Sequence, residues 1–299
     1  MEGARCMKAM QKGRDLQDTR EHADRTARSR PTARAAYLLS AGIAGLMVVA
    51  SAAGLFVRGL YADGAWAREA FRGGDLVTLV LVAPMLIVSL ILSARGSIRA
   101  KPVWLATLGY SVYNYAYYVF GARFNDVFLL HIALLSMSIF ALACALPNLD
   151  VAPIAARLHS LRRARWIGAF LVLVGVGQGA LWVFVVLRFA VSGQVLHDIP
   201  VEGQHLVLAL DLSLLVPALV LAGVLLYRRT PAGFMMGAVV SVFGAAYQLN
   251  LMMAGVFQAS ADVPGVKAFP AEGILLTAGF VAASALLLLT PQRSRKERS

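Results

Sequence analysis

The chain has 299 residues, of which 59% are hydrophobic and 15% are charged, and its formal net charge is +12. With a mean hydropathy of +0.69, it is too apolar to bury its hydrophobic residues in one soluble core of this length. The composition predicts an all-α, polytopic transmembrane bundle in contact with membrane lipids. It does not predict nucleic-acid binding, because the positive charge is divided among five short segments and does not form one basic face.

Eight segments are poor in charge and long enough to cross about 30 Å of hydrocarbon as helices. We expect transmembrane spans at 35–57, 75–94, 102–122, 127–149, 166–188, 204–227, 232–257 and 273–291. Residues 1–34 contain nine basic and five acidic side chains and no apolar run, which predicts a disordered cytoplasmic tail. Residues 293–299 are expected to form a second basic tail.

Lysine and arginine are retained in cytoplasmic loops, so their distribution predicts the orientation. With the N-terminus placed inside, the inner segments contain 22 of the 28 basic residues. Both termini are therefore expected in the cytoplasm. Arginine outnumbers lysine 23 to 5, which together with abundant alanine and glycine indicates a high-GC genome and the inner membrane of a bacterium.

The second and sixth spans share a sequence pattern. Each has Asp-Leu near its outer end (Asp75 and Asp211), then an apolar stretch, a proline (Pro84 and Pro217) and arginine at the inner surface. Similarity by composition alone is the favoured explanation, because Leu/Val-rich helices resemble one another. The alternative is two parallel four-helix repeats, since four spans lie between equivalent positions. Each proline also removes a helical hydrogen bond and predicts a kink.

The third span contains an unusually polar helix face. Tyr110, Tyr113, Asn114 and Tyr117 are spaced at i, i+3, i+4 and i+7, which places them on one side of a helix. Such a face must point into the bundle, because hydrocarbon cannot satisfy its polar groups. We expect it to approach the sixth span, with Asn114 or a tyrosine hydroxyl reaching Asp211 directly or through water. For Asn114, a hydrogen bond that serves packing only is the alternative.

Asp211 is the most informative single residue. A carboxylate in a membrane helix costs about 2.5 to 3.5 kcal/mol near the midplane on insertion scales, so it needs a partner or a bound proton. A ligand-binding or proton-binding role is therefore favoured. The alternative is that Asp211 caps a sixth helix that starts late.

Structural roles are favoured for two other groups of polar residues. Asp75 follows Gly-Gly and precedes Thr78 by three residues, so it is expected to cap the N-terminus of the second span. Tyr115, Tyr117 and Tyr118 lie near the outer end of the third span, where tyrosines form interfacial aromatic belts.

Polar side chains able to bind a solute or a proton are concentrated in the outer half of the spans. The candidate binding residues are Asp211, Asn114, Tyr117, His131, Asn250, Tyr113, Gln178, Gln248 and Asp75. No catalytic residue and no cofactor is predicted, because the sequence lacks P-loop, dinucleotide-binding, Gly-x-Ser-x-Gly and His-x-x-x-His patterns. A metal site assembled from His131, His205 and Asp211 on distant helices is the alternative.

Two stretches resemble a known group of proteins. The runs YNYAYYVFGARFNDVFLLHIALLS (Tyr113 to Ser136) and DLSLLVPALVLAGVLLYRRTPAGF (Asp211 to Phe234) are similar to multi-pass bacterial membrane proteins of an actinobacterial type. That group has no assigned activity, so the resemblance implies the compartment and the multi-pass topology only.

Three functions fit these features. The favoured one is small-solute or proton-linked transport, or ligand binding, through an outward-facing polar cavity lined by Asn114, Tyr117, His131, Asp211 and Asn250. The first alternative is an intramembrane enzyme that acts on a lipid-linked or periplasmic substrate, with Asp211 and His131 as acid and base. The second is a structural or assembly subunit whose polar residues only join helices.

Overall fold

The computed structural model describes residues 31–149, 163–193 and 201–289. The predicted tails at 1–34 and 293–299 lie outside this part of the chain, apart from 31–34, which belong to the first helix. Within the described residues the regular secondary structure is helical and includes no β-strand, so the all-α prediction is confirmed.

Eight long helices follow one another in the described residues. They are α1 (Pro31–Phe56), α2 (Ala65–Ala94), α3 (Ala100–Gly121), α4 (Phe128–Ala145), α5 (Ala164–Ser192), α6 (Val201–Leu210, continued by Asp211–Leu215 and Val216–Tyr227), α7 (Pro231–Ser260) and α8 (Ala271–Leu288). Apart from α2, each begins and ends within four residues of a predicted span. A 3₁₀ turn at Leu146–Asn148 extends α4.

α2 begins at Ala65, ten residues before the start that the sequence predicted. The predicted start was wrong because charged residues were assumed to lie outside the helix. Arg68, Glu69 and Arg72 in fact belong to its first turns. Glu69 accepts hydrogen bonds from Arg68 at 2.9 Å and from Arg72 at 3.0 Å, so its charge is paired. The loop between α1 and α2 is therefore 57–64, shorter than the predicted 58–74.

Seven of the helices in the described residues are long and apolar enough to cross a membrane, and α3 is the exception. α3 has 22 residues, which is sufficient, but its tyrosines, asparagine and hydroxyl residues make it more polar. Large apolar side chains are exposed on the outer faces of the helices, among them Leu38, Val80, Leu129, Leu173, Phe184 and Leu275. A surface of this kind is suited to lipid and not to water. The chain is therefore a multi-pass membrane protein that contacts lipid.

α3 and α7 occupy the middle of the bundle. α3 packs against α2, α4, α6 and α7, and α7 packs against α2, α3, α6 and α8. α6 packs most extensively against α5, and the two backbones approach closely at Gly168 and Gly223. A Cβ on Gly168 would lie 2.7 Å from the Gly223 carbonyl oxygen, so this packing requires glycine, which has no Cβ. Both α2 and α6 thus face the same two central helices.

α2 and α6 each contain a π-helical turn, at Thr78–Val82 and at Asp211–Leu215. Each turn begins six residues before a proline, Pro84 or Pro217. A proline cannot donate the regular helical hydrogen bond, and widening the preceding turn accommodates that loss. Asp211 is the first residue of its π-helical turn, whereas the equivalent position in α2 is Thr78 and Asp75 lies three residues earlier. The two aspartates therefore differ by almost one turn in register.

Candidate functional site

A cavity of about 280 Å³ lies between α2, α3, α5, α6 and α7. Trp66 near the start of α2, Tyr117 near the end of α3 and Gln258 near the end of α7 all line it. The cavity is therefore located toward the end of the bundle where α2 and α6 begin. Its volume is close to the lower limit of about 300 Å³ for ligand pockets, so any occupant must be small.

The Asp211 carboxylate forms part of the cavity wall and is 1% exposed. Tyr113 of α3 donates a hydrogen bond to Oδ1 at 2.6 Å. From α5, Trp182 Nε1 and Gln178 Nε2 donate to Oδ2 at 2.7 Å and 3.1 Å. The predicted contact between α3 and Asp211 is therefore confirmed, and Tyr113 makes it. All three donors are neutral, so hydrogen bonds and not an ion pair stabilise the carboxylate.

Asp211 does not cap a helix. α6 begins ten residues earlier, at Val201, and its backbone continues through Asp211 without a break. The capping alternative is therefore wrong. The π-helical turn at Asp211 is a local departure from regular helix of a type that is frequent at functional sites.

Tyr113 joins Asp211 to α7, because its hydroxyl oxygen also lies 3.1 Å from the Tyr247 hydroxyl oxygen. A tyrosine hydroxyl has one proton, and that of Tyr113 is directed at the carboxylate. Tyr247 is therefore the donor to Tyr113 in this arrangement. The result is a directed chain of hydroxyls that ends at Asp211.

A second group of hydrogen bonds connects α7 to α3 and α2 beside the cavity. Asn250 Nδ2 donates to the Tyr110 hydroxyl at 2.8 Å and to Asn114 Oδ1 at 3.1 Å. The Tyr110 hydroxyl oxygen lies 3.3 Å from Thr78 Oγ1 in the π-helical turn of α2. Tyr110 and Asn114 are buried, which confirms that this face of α3 points into the bundle.

Asp75 lies inside α2, whose N-terminal cap is Gly64, so the prediction that Asp75 is an N-cap is wrong. Its buried carboxylate accepts hydrogen bonds from Tyr61 at 2.7 Å and from Tyr118 at 3.1 Å. Tyr61 lies in the loop before α2, where burial and the Asp75 charge raise the pKa of its hydroxyl. The Tyr61 hydroxyl therefore keeps its proton and donates it in the hydrogen bond to Asp75. Tyr118 also lines the cavity, so Asp75 is separated from it by one side chain.

Two of the three tyrosines predicted for an aromatic belt are inside the protein. Tyr115 and Tyr118 are each 1% exposed, and their rings pack against each other at an interplanar angle of 47° with centroids 5.9 Å apart. The belt prediction is wrong for both, because depth along the span does not reveal which way a side chain points. Tyr117 is half-buried and lines the cavity.

His131 does not line the cavity, contrary to the predicted arrangement. It is completely buried, and its ring lies 4.8 Å from that of Tyr118 and 5.9 Å from that of Tyr115, measured between centroids. Neither ring nitrogen has a hydrogen-bond partner among the described residues. His131 therefore belongs to the aromatic packing around Asp75.

The structure brings most of the candidate residues together. Those that line the cavity are Asp211, Asn114, Tyr117, Asn250, Tyr113 and Gln178. Asp75, His131 and Gln248 do not. Gln248 follows Tyr247 directly, and adjacent helical residues point about 100° apart, which turns it away from the cavity.

Sequence reasoning missed several residues of the site. Trp182 follows Gln178 by four residues, so the two share one face of α5, and this spacing was a usable signal. Trp66 and Gln258 are joined by a hydrogen bond from Gln258 Nε2 to the Trp66 carbonyl oxygen at 2.8 Å. Nothing in the sequence indicated that pair, because α2 was expected to begin after Trp66.

No group of three His, Cys, Asp or Glu side chains that could hold a metal ion occurs in the described part of the chain. His131, His205 and Asp211 therefore form no such cluster. Comparison with known proteins finds no matching family model, no matching curated protein and no matching solved structure. The chemistry of the cavity has to be inferred from its own residues.

Proposed function

We propose that the chain is an eight-span protein of a bacterial plasma membrane that binds a small solute in an outward-facing cavity and transports it in a proton-linked manner. The observation that supports this best is the buried Asp211 carboxylate, which borders a cavity and is held by Tyr113, Trp182 and Gln178. An ionisable side chain inside a membrane bundle is costly and marks a substrate or proton pathway by default.

The charge distribution supports an outward-facing cavity. With both termini in the cytoplasm, 22 of the 28 basic residues are on the inner side. That orientation directs the start of α2 and the end of α3 outward, and the cavity lies at this end. The resemblance to multi-pass bacterial membrane proteins supports the same compartment. In this proposal α3 also spans the membrane, which brings the number of spans to eight. Its central position lets neighbouring helices satisfy its polar groups, so they need not face lipid.

The proposal includes two parallel four-helix repeats. α2 and α6 both face α3 and α7, and both contain a π-helical turn six residues before a proline. The π-helical turn has the same position relative to proline in both helices, and similar composition alone would not require that. In this alignment Asp211 corresponds to Thr78, and Asp75 lies three residues earlier.

The enzyme alternative receives less support from the geometry. It pairs Asp211 with His131, but His131 packs against Tyr115 and Tyr118 and does not line the cavity. Among the described residues, the cavity walls also lack a cysteine or serine that would serve as a nucleophile.

Access to the cavity is tested by thiol labelling from outside the cell. Val207 lines the cavity and would be changed to cysteine in a chain in which Cys6 and Cys144 are replaced by alanine. A charged, membrane-impermeant thiol reagent should label this cysteine. Leu221→Cys, on the exposed apolar surface of the same helix, is the matched control and should stay unlabelled in lipid. Failure to label Val207→Cys would contradict an outward-facing cavity.

Transport is tested with proteoliposomes that contain the full chain and a trapped pH-sensitive dye. Amines, carboxylates, amino acids and sugars would be added one class at a time, and one class should change the internal pH. Ala70→Phe places a ring in the cavity and should abolish the response, whereas Val80→Phe on the exposed surface of α2 should not. A response that survives Ala70→Phe would contradict transport through this cavity, and no response to any class would contradict proton-linked transport.

A further inference from the structure

One part of the cavity wall consists of aromatic rings from α2 and α3. Phe71 lies at the centre of this group, with its ring centroid 4.8 Å from that of Tyr118 and 5.4 Å from that of Tyr117. Trp66, about one turn before Phe71, lines the same cavity. Of these rings, Trp66 and Tyr117 are only half-buried, so they are the ones that can offer a π face as well as apolar surface to an occupant.

Three further rings surround Asp211. Tyr113 and Tyr247 are in edge contact, with ring centroids 5.0 Å apart at an interplanar angle of 72°. Trp182 approaches from α5 and donates its indole N–H to the Asp211 carboxylate. The carboxylate is therefore set within a shell of aromatic groups.

Asp211 is the one charged residue among the described residues that line the cavity, and no lysine, arginine or histidine belongs to the lining. Arg68 and Arg72 of α2 lie outside the lining and share the single carboxylate of Glu69, so this group keeps one net positive charge away from the cavity wall. The electrostatic potential of the cavity is thus expected to be negative. An anionic solute would be repelled by Asp211 and would find no basic partner.

The amide donors of the cavity are partly engaged by the protein itself. Gln178 donates to Asp211, Asn250 donates to Tyr110, and Gln258 donates to the Trp66 carbonyl. These contacts use one N–H of Gln178 and one of Gln258, and the Asn114 amide, which also lines the cavity, takes part in them only through its oxygen. A neutral polar solute could therefore still form hydrogen bonds, and charge and ring faces are the features that favour a cation over it.

We propose that the solute is a small organic cation, namely a protonated or quaternary amine, held by the aromatic rings and the Asp211 carboxylate. Cations are attracted to the faces of Trp, Tyr and Phe rings, and aromatic cages recognise quaternary ammonium groups in this way. The inference rests on the proposed role of the cavity as a solute-binding site and assigns the chemical class of its ligand.

A proton and the cation compete for the same carboxylate. The titratable groups that face Asp211 are Tyr113 from α3 and Tyr247 from α7, while α5 contributes Gln178 and Trp182, which do not titrate. A proton on Asp211 removes the negative charge that attracts the cation. Affinity for a cation should therefore fall on acidification, and this competition would link solute movement to protons.

The test compares three probes of nearly equal shape on the purified full chain in detergent: choline, its uncharged isostere 3,3-dimethylbutan-1-ol and the anion 3,3-dimethylbutanoate. Binding would be measured by calorimetry and by protection of Val207→Cys from thiol labelling. Choline should bind at least about tenfold more tightly than the alcohol, and the anion should bind most weakly. Choline affinity should also fall as the pH is lowered, because a proton on Asp211 removes the negative charge that attracts the cation.

Asp211→Asn should reduce the preference for choline over the alcohol to less than about threefold, because it removes the charge and keeps the size. Tyr117→Leu should weaken choline binding and leave alcohol binding nearly unchanged. Val80→Leu, on the exposed surface of α2, is the control and should alter neither. Equal binding of choline and the alcohol would overturn the cation assignment and leave the binding cavity standing. If none of the three probes binds, both the cation assignment and the binding role of the cavity fail.

Discussion

The Tyr113 hydroxyl oxygen lies 2.6 Å from Asp211 Oδ1 and 3.1 Å from the Tyr247 hydroxyl oxygen, so one side chain of α3 connects α6 to α7. The contact with Asp211 is buried and the contact with Tyr247 is partly buried. In a membrane the helices gain little from apolar contact with each other compared with contact with lipid. Hydrogen bonds of this kind therefore have a large role in fixing which helices are neighbours.

Tyr113→Phe should lower the free energy of unfolding by about 1 to 3 kcal/mol, because Asp211 loses a donor and Tyr247 loses its acceptor. The thermal unfolding midpoint of the purified protein in detergent would be measured. Tyr117→Phe is the matched control, since Tyr117 lines the same cavity and its hydroxyl takes part in neither contact. Equal effects of the two substitutions would show that the Tyr113 hydroxyl has no special structural role.

Asp211→Asn and Asp211→Leu should differ in their effect on stability. Asparagine keeps one oxygen acceptor, whereas leucine leaves the hydroxyl of Tyr113 and the N–H groups of Trp182 and Gln178 without an acceptor. Each unsatisfied buried donor costs about 1 to 3 kcal/mol, so the leucine variant should be less stable by several kcal/mol. Chemical denaturation of both variants in detergent would measure the difference. If the leucine variant were as stable as the asparagine variant, the three hydrogen bonds would contribute little to folding.

Much of the fold followed from the sequence, because apolar runs of 20 residues and the prolines within them have few structural solutions. The helices other than α2 began and ended close to their predicted bounds. α2 was different because paired charges entered its first turns. Pairing between Glu69 and its neighbouring arginines depends on side-chain geometry, and a hydropathy criterion cannot detect it.

The candidate site was predictable only in part. The polar face of α3 and its contact with Asp211 followed from helical spacing and from the need of each buried polar group for a partner. The contribution of Trp182 depends on how α5 is rotated against α6, and the sequence does not fix that rotation. The same uncertainty about rotation explains why Tyr118 was expected at the interface and His131 in the cavity.

Reporter fusions test the proposed topology. Fusions after residues 63, 195 and 265 should report the outside, and fusions after 98, 158 and 296 should report the cytoplasm. This follows because basic residues are concentrated on the cytoplasmic side. Position 63 lies in the shortened loop between α1 and α2. A fusion after residue 75, which lies inside α2, should interrupt this helix and destabilise the protein. A clear reversal at any of the six sites would contradict eight spans.

His131→Phe should leave the free energy of unfolding unchanged or raise it by about 1 kcal/mol. The imidazole nitrogens have no hydrogen-bond partner among the described residues, and a phenyl ring keeps the contact with Tyr118 without burying polar atoms. His131→Ala, in contrast, should cost about 2 to 4 kcal/mol, because it leaves a void in the packing. Thermal unfolding of both variants would be compared. A loss with phenylalanine as large as that with alanine would indicate that an imidazole nitrogen makes a hydrogen bond that stabilises the fold.

Gly54→Ala should destabilise the protein, whereas Gly45→Ala in the same helix should not. A Cβ on Gly54 would overlap the Asp75 carboxylate at Oδ2 and lie 2.7 Å from the Tyr61 hydroxyl, while a Cβ on Gly45 meets no atom within 4 Å. The overlap would force Asp75 away from Tyr61 and cost about 1 to 3 kcal/mol, as overpacking in a filled core does. At Gly45, alanine should be neutral or stabilising by a few tenths of a kcal/mol, because alanine is the better helix former. Thermal unfolding of the two variants measures the difference. Because both substitutions add one methyl group to α1, equal stability would show that α1 does not pack against the Asp75 carboxylate at Gly54.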